Sequence, residues 1–148
     1  MKVRPATMED HQNLVDFQLA MASETEGIEL DRITVERGVK AVLSDEMKGK
    51  YYVAEINGQV VSSLLTTFEW SDWRNGTVLW IQSVYVLPEN RRKGVYREMY
   101  LYIKSLVLNA DNLNGIRLYA DQSNYPAQKT YKNLGMNKDH YVMFEWMK

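Results

Sequence analysis

Three basic side chains and a glycine, Arg91-Arg92-Lys93-Gly94, follow an apolar, β-rich run from Trp80 to Leu87 that ends at Pro88. An amphipathic stretch begins directly after them, at Val95. A strand that turns into a helix in this way presents first-turn N–H groups that have no intrahelical acceptor. They lie at the positive end of the helix dipole. This predicts a site for a phosphorylated ligand. The N–H groups from Arg92 to Tyr96, Val95 included, are the expected donors, and the charges of Arg91, Arg92 and Lys93 add more loosely. One hydrogen bond to a charged partner contributes roughly 1.5–3 kcal/mol, against about 0.3–1 kcal/mol for an exposed dipole. The amides therefore outweigh the dipole. The same residues also fit a solvated basic turn in which Gly94 is only a turn residue.

Other chemistries find little support. There is no cysteine among the 148 residues, which excludes disulfides, thiolate metal sites and a Cys nucleophile. His11 and His140 are far apart with no ligand spacing around either, so no metal site is expected. Ser62, Ser63 and Ser83 lack a nucleophile-elbow pattern. Net charge is −1, so no global field favours nucleic acid or an anionic membrane. Met1 to Pro5 is not a secretory signal. No stretch approaches the length of a membrane span. The expected compartment is the cytoplasm.

The elements that must position the basic turn can be read from hydrophobic spacing and turn residues. Val3 to Pro5 reads as a short strand, and Thr7 as the cap of a helix with Leu14, Phe17 and Met21 on one face. Ser23 to Asp31 reads as an acidic loop. Thr34 is expected to cap a second helix with Val35, Val39, Val42 and Leu43 inward. Strands are expected over Tyr51–Ile56 and Gln59–Trp70, joined at Asn57-Gly58, with a second hairpin turn at Asn75-Gly76 before a strand Thr77–Leu87. The helix after Gly94 places Val95, Met99, Tyr102, Ile103 and Leu106 on one face. A turn at Asn112–Gly115, a strand Ile116–Ala120, a helix from Tyr125-Pro126 to Leu134-Gly135 and a final strand His140–Met147 complete the chain. Hairpins early and one strand–helix–strand crossover later predict a single α+β domain over residues 1–148: a mixed, mostly antiparallel sheet with helices on both faces.

In this arrangement the chain resembles the GCN5-related N-acetyltransferases (GNAT) over nearly its whole length. That family carries Gln/Arg-x-x-Gly-x-Gly/Ala between a strand and a helix, and here the segment reads Arg91-Arg92-Lys93-Gly94-Val95-Tyr96. A second family pattern, Asn-x-x-Ala-x-x-x-Tyr followed by Gly and an apolar residue, reads Asn124, Ala127 and Tyr131, then Gly135-Met136. One position departs: Tyr96 stands where the family usually has Gly or Ala. Its ring is expected to point away from the ligand, because only its amide is needed.

The resemblance implies acetyl-CoA as co-substrate, no metal, and direct attack of a primary amine on the thioester. It implies that Val84 and Val86 offer backbone groups to the pantetheine arm, and that Asn124, Ala127 and Tyr131 belong to the coenzyme site. It also implies Tyr131 as general acid. With reference pKa values of about 10 and 8.5, transfer from tyrosine to a thiolate is uphill by roughly 2 kcal/mol, so Tyr131 would act mainly by hydrogen-bonding the developing thiolate. Freeing a lysine-like amine at pH 7 costs about 4.6 kcal/mol, and an α-amine only about 1 kcal/mol. Candidate bases are Glu24, Glu26 and Glu29 in the acidic segment, and Glu69 and Asp72 beside Trp70 and Trp73. Each also fits a solvated surface carboxylate. Together they suggest an acidic mouth for a small cationic amine. Trp70 and Trp73 suit acceptor packing, a structural cover or a homodimer contact, and Trp80 the core. A non-catalytic acyl-CoA-binding module is the rival reading; it needs the phosphate cradle but not Tyr131.

Overall fold

The computed structural model describes residues 1–148, which divide into two compact units, Met1–Arg117 and Leu118–Lys148. In the first unit, strands β1 (Lys2–Pro5), β2 (Lys50–Ile56), β3 (Gln59–Ser71), β4 (Gly76–Val86) and β5 (Leu113–Arg117) form one sheet in that order. The first four pair antiparallel, and β5 lies parallel to β4. The expected mixed, mostly antiparallel α+β sheet is present. A parallel neighbour requires a crossover, supplied by helix α3 (Val95–Leu108).

Alternation along the strands assigns the helices to opposite faces. Tyr51 and Val53 of β2 pack with Leu14 and Val15 of α1 (His11–Glu26) and Val39 of α2 (Arg32–Ser44). Their neighbour Tyr52 meets Tyr102 of α3, with ring centroids 5.8 Å apart. On β3 the hydroxyl of Ser62 reaches Met99 of α3. The strand partner of the adjacent Ser63 is Tyr85, whose ring packs 5.2 Å from Phe17 of α1. Helices α1 and α2 therefore cover one face and α3 the other. Val35, Val42 and Leu43 pack against the α1–α2 core, as the spacing predicts. Near the sheet edge Arg4 of β1 forks onto the buried Asp10, with Nη1 and Nη2 at 2.7 and 2.9 Å from its two oxygens.

Several boundaries differ from the sequence reading. A 3-10 turn, Met8–Asp10, precedes α1. Helix α1 continues through Ser23–Glu26, because nothing breaks it before Gly27, which takes the left-handed cap at φ +63°. The cap of α2 is Asp31, not Thr34; Thr34 instead donates its N–H to the Asp31 carboxylate at 2.8 Å. In the second hairpin Asp72–Asn75 make the turn, and Gly76 opens β4. A Cβ on Gly76 would fall 1.9 Å from Asn114 Oδ1 and 3.1 Å from the Asn112 carbonyl, so any larger residue there would have to displace the Asn114 side chain and press on the backbone at the β5 entry. Strand β5 starts three residues earlier than expected, in register with Thr77.

The second unit contains helix α4 (Tyr125–Asn133), closed by Gly135 at φ +87° as expected. The strand expected over residues 140–147 is not formed. That segment has no backbone ladder and its side chains are exposed, so its apolar run has not produced a strand.

Candidate active site

The route into the basic turn begins with an irregularity in β4. Leu65 pairs with Gln82 and Ser63 with Tyr85, so two residues, Ser83 and Val84, stand opposite Leu64 alone. This is a β-bulge, and Ser83 takes a left-handed φ of +51° to accommodate it. A bulge leaves its extra residue outside the ladder, so a backbone group here is available to something other than β3. The bulge also exchanges the faces: Gln82 and Tyr85 share the α1 side, while Ile81 and Val86 share the α3 side. Val84 and Val86 are both half-buried.

Beyond Val86 the chain makes a 3-10 turn over Pro88–Asn90, closed by bonds from Asn90 N to Leu87 O at 2.8 Å and from Arg91 N to Pro88 O at 3.2 Å. Two left-handed residues follow, Arg92 at φ +61° and Gly94 at φ +79°. For arginine this region is uncommon and costs of order 1 kcal/mol, the kind of strain that concentrates at ligand clamps. Gly94 meets nothing within 4 Å of where a Cβ would lie, so its requirement is conformational and not steric. Helix α3 then starts at Val95, which is buried, while residues 91–94 are exposed. Tyr96 lies half-buried, with its ring 6.4 Å from Tyr100, one turn along on α3. It packs along its own helix against Tyr100.

The three basic residues are not equivalent. Arg92 and Lys93 are exposed. Arg91 donates Nε to the Val86 carbonyl at 2.9 Å and Nη2 to Glu24 Oε2 at 2.6 Å, and its guanidinium lies 5.4 Å from the Tyr85 ring centre. The hydroxyl of Tyr85 donates to the other oxygen of Glu24 at 2.8 Å. The bonds from Arg91 first, and from Tyr85 next, hold the Glu24 carboxyl below its ordinary range. A carboxylate so stabilised is a weak proton acceptor, which argues against Glu24 as the base. Burial, then the neighbouring Glu24, push the Tyr85 hydroxyl up.

Glu69 of β3 is paired with Arg117 of β5 and is likewise engaged. Glu26 and Glu29 are exposed, and Asp72 accepts from the Trp73 amide at 3.0 Å in the hairpin turn. Two of the five carboxylates of the expected acidic mouth are thus already matched by arginines. Gln82 donates to the Thr67 hydroxyl at 2.7 Å. Trp70 and Trp73 are exposed, and Trp80 is half-buried. His11 contacts the Glu36 carbonyl at 2.9 Å, and no group of three or more His, Asp or Glu residues could hold a metal ion. No helix is long and apolar enough to cross a membrane.

In the second unit Asn124 caps α4: its side-chain oxygen accepts from the Ala127 amide at 3.1 Å, with Pro126 in the first turn. Tyr131 lies on the same helix, half-buried, and burial raises its hydroxyl above the ordinary tyrosine value, so it carries its proton at neutral pH. Its carbonyl accepts from Met136 N at 3.1 Å, which ties the Gly135-Met136 pair to the helix end.

Sequence reasoning missed Tyr85, and it missed that Arg91 is tied to α1. Glu24 and Arg91 are 67 residues apart, so no local spacing joins them.

Comparison with known proteins bears on the family of the chain. The model of the acetyltransferase (GNAT) family matches residues 15–136. A possible acetyltransferase from Clostridium difficile 630 is 45% identical, with a TM-score of 0.93 over 99% of this chain and 97% of that one. A predicted acetyltransferase from Clostridium acetobutylicum, solved with acetyl-CoA, is 22% identical at a TM-score of 0.74, covering 97% and 95%. An aminoglycoside acetyltransferase from an uncultured soil metagenomic sample, solved with sisomicin, is 13% identical at 0.78, covering 99% and 95%. No curated protein matches the chain.

Proposed function

The chain belongs to the GNAT acetyltransferase family, and from that premise we propose that it transfers the acetyl group of acetyl-CoA to a primary amine. The observation that carries the reading is the passage from a bulged strand into a turn with two left-handed residues at the start of α3. Amides from Arg92 to Tyr96 would meet the diphosphate, with Arg92 and Lys93 adding charge. The bulge at Ser83–Val84 supplies a backbone group for the pantetheine arm or the thioester carbonyl. A donor aimed at an oxygen that gains charge contributes more in the transition state than in the ground state.

The amine nitrogen attacks the thioester carbon, the carbon–sulfur bond breaks, and the electron pair leaves on sulfur. Tyr131, protonated at neutral pH, is the proposed donor of a hydrogen bond or proton to that thiolate. The proton lost by the amine passes to solvent or to Glu26, which is exposed at the end of α1. No covalent enzyme intermediate is involved. Holding two substrates in line supplies most of the acceleration. The acceptor is read as a small cationic amine, supported by Glu26 and Glu29 on and just after the last turn of α1. Residues 1–148 are read as one acetyltransferase domain acting in the cytoplasm, with the exposed Trp70 and Trp73 as the surface a homodimer would use.

Titration calorimetry with coenzyme A tests the first half, and release of thiol from acetyl-CoA across an amine panel tests the second. Binding in the micromolar range with turnover on cationic amines is the expected result. Absence of binding heat removes the reading altogether. Binding without turnover on any amine favours a sensing module.

A further inference from the structure

Glu24 lies outside both family signatures, yet both of its carboxylate oxygens are used, one by Tyr85 and one by Arg91. Its two partners flank the critical segment. Tyr85 is the first residue past the bulge, almost fully buried, with Phe17 of α1 packed on its ring. Arg91 is the first residue of the basic turn and is fastened to the end of β4 through the Val86 carbonyl. One side chain in the last turn of α1 thus joins both the strand and the turn to the helix. A lone exposed ion pair contributes little. This pair differs in having an arginine that also holds the Val86 carbonyl and lies over the Tyr85 ring, and a buried tyrosine on the second carboxylate oxygen, so it constrains direction as well as distance.

We propose that Glu24 is a positioning residue: through Arg91 and Tyr85 it fixes the turn at Gly94 on the bulged strand, and so sets coenzyme affinity without touching the coenzyme. The affinity part rests on the reading of this turn as the diphosphate site. Arg91 then acts through the frame it builds, and the charge offered to the ligand comes from Arg92 and Lys93.

The test uses Glu24→Ala, Glu24→Gln, Arg91→Ala and the double variant Glu24→Ala/Arg91→Ala in the full chain. Amide hydrogen exchange over residues 92–97, without ligand, is expected to quicken in Glu24→Ala and to change much less in Glu24→Gln, which can still bond both partners. Coenzyme A affinity by calorimetry is expected to weaken about tenfold in each alanine variant and no further in the double variant, because the two residues act as one unit. The acceptor KM is expected to stay within twofold. Unchanged exchange in Glu24→Ala overturns the proposal whatever the coenzyme does, and so do single losses that multiply in the double variant. If Glu24→Ala does not fold, the same exchange comparison on Arg91→Ala decides. A wild-type protein that binds no coenzyme A sinks the diphosphate reading, while the exchange result still decides whether Glu24 holds the turn.

Discussion

Replacing Gly94 with alanine isolates the contribution of turn conformation to coenzyme binding. Gly94 sits at φ +79° with open space where a Cβ would project, nothing lying within 4 Å, so the substitution adds no clash. Its cost is the left-handed penalty alone, about 1–2 kcal/mol. Gly58, in the β2–β3 hairpin, provides a matched control: φ is +80° and the surroundings are equally open. Both variants should lose the same stability, a drop in Tm of about 3–6 °C for a chain of this size. Only Gly94→Ala should affect the ligand. Relaxation out of the left-handed region re-aims the amides at the start of α3. Losing one charge-assisted hydrogen bond, roughly 1.5–3 kcal/mol, weakens coenzyme A binding about 10- to 100-fold. Thermal denaturation and calorimetry on the two variants give all four numbers. Equal stability losses with coenzyme affinity unchanged in both would refute the assignment of the turn.

Three further outcomes are expected. Tyr131→Phe should lower kcat about 100-fold or more and leave coenzyme A affinity within twofold; because burial raises the Tyr131 hydroxyl, a wild-type loss of kcat that is absent from the variant should appear only above about pH 10. The Asp10 carboxyl is raised by burial, but bonds from Arg4 and Thr7 outweigh this and leave it lowered. Its contribution to stability is therefore complete above the unfolded value of about 3.9 and declines as pH falls through and below it. Asp10→Asn should cost about 2–3 kcal/mol in denaturant unfolding at pH 7 and flatten that acid dependence. Gly76→Ala, which drives a Cβ into Asn114 and Asn112, should destabilise by about 1–3 kcal/mol and leave coenzyme A affinity of the folded fraction unchanged.

The parts of the fold legible in the sequence were those set by local chemistry. Asn57-Gly58 specifies its hairpin because both residues tolerate positive φ. Val95, Met99 and Ile103 mark the buried stripe of α3 by spacing alone. Pro126 and Gly135 bracket α4 through their own backbone preferences. Features that depend on distant partners were not legible. Thr34 and Asp31 are both good caps, and which one serves depends on where α2 meets the core. The bulge at Ser83 shows only in the register with β3, and nothing in the composition of β4 marks it. The same holds for the site. The basic turn is visible because its residues are contiguous, whereas the engagement of Glu24 by Arg91 and of Glu69 by Arg117 emerges only once helix and strands are assembled.

The extra residue in β4 also limits how this chain can change. Substitution at Ser83 alters a side chain but leaves the count of residues intact, so the ladder stays offset. Only a one-residue deletion restores an even pleat, and it spares the partners downstream: with one residue left opposite Leu64, Tyr85 still faces Ser63 on the Phe17 side and Val86 still faces Ser62. What such a deletion removes is the backbone group that the ladder leaves over. The irregularity is thus a surplus residue, robust to point mutation and erased by a single lost codon.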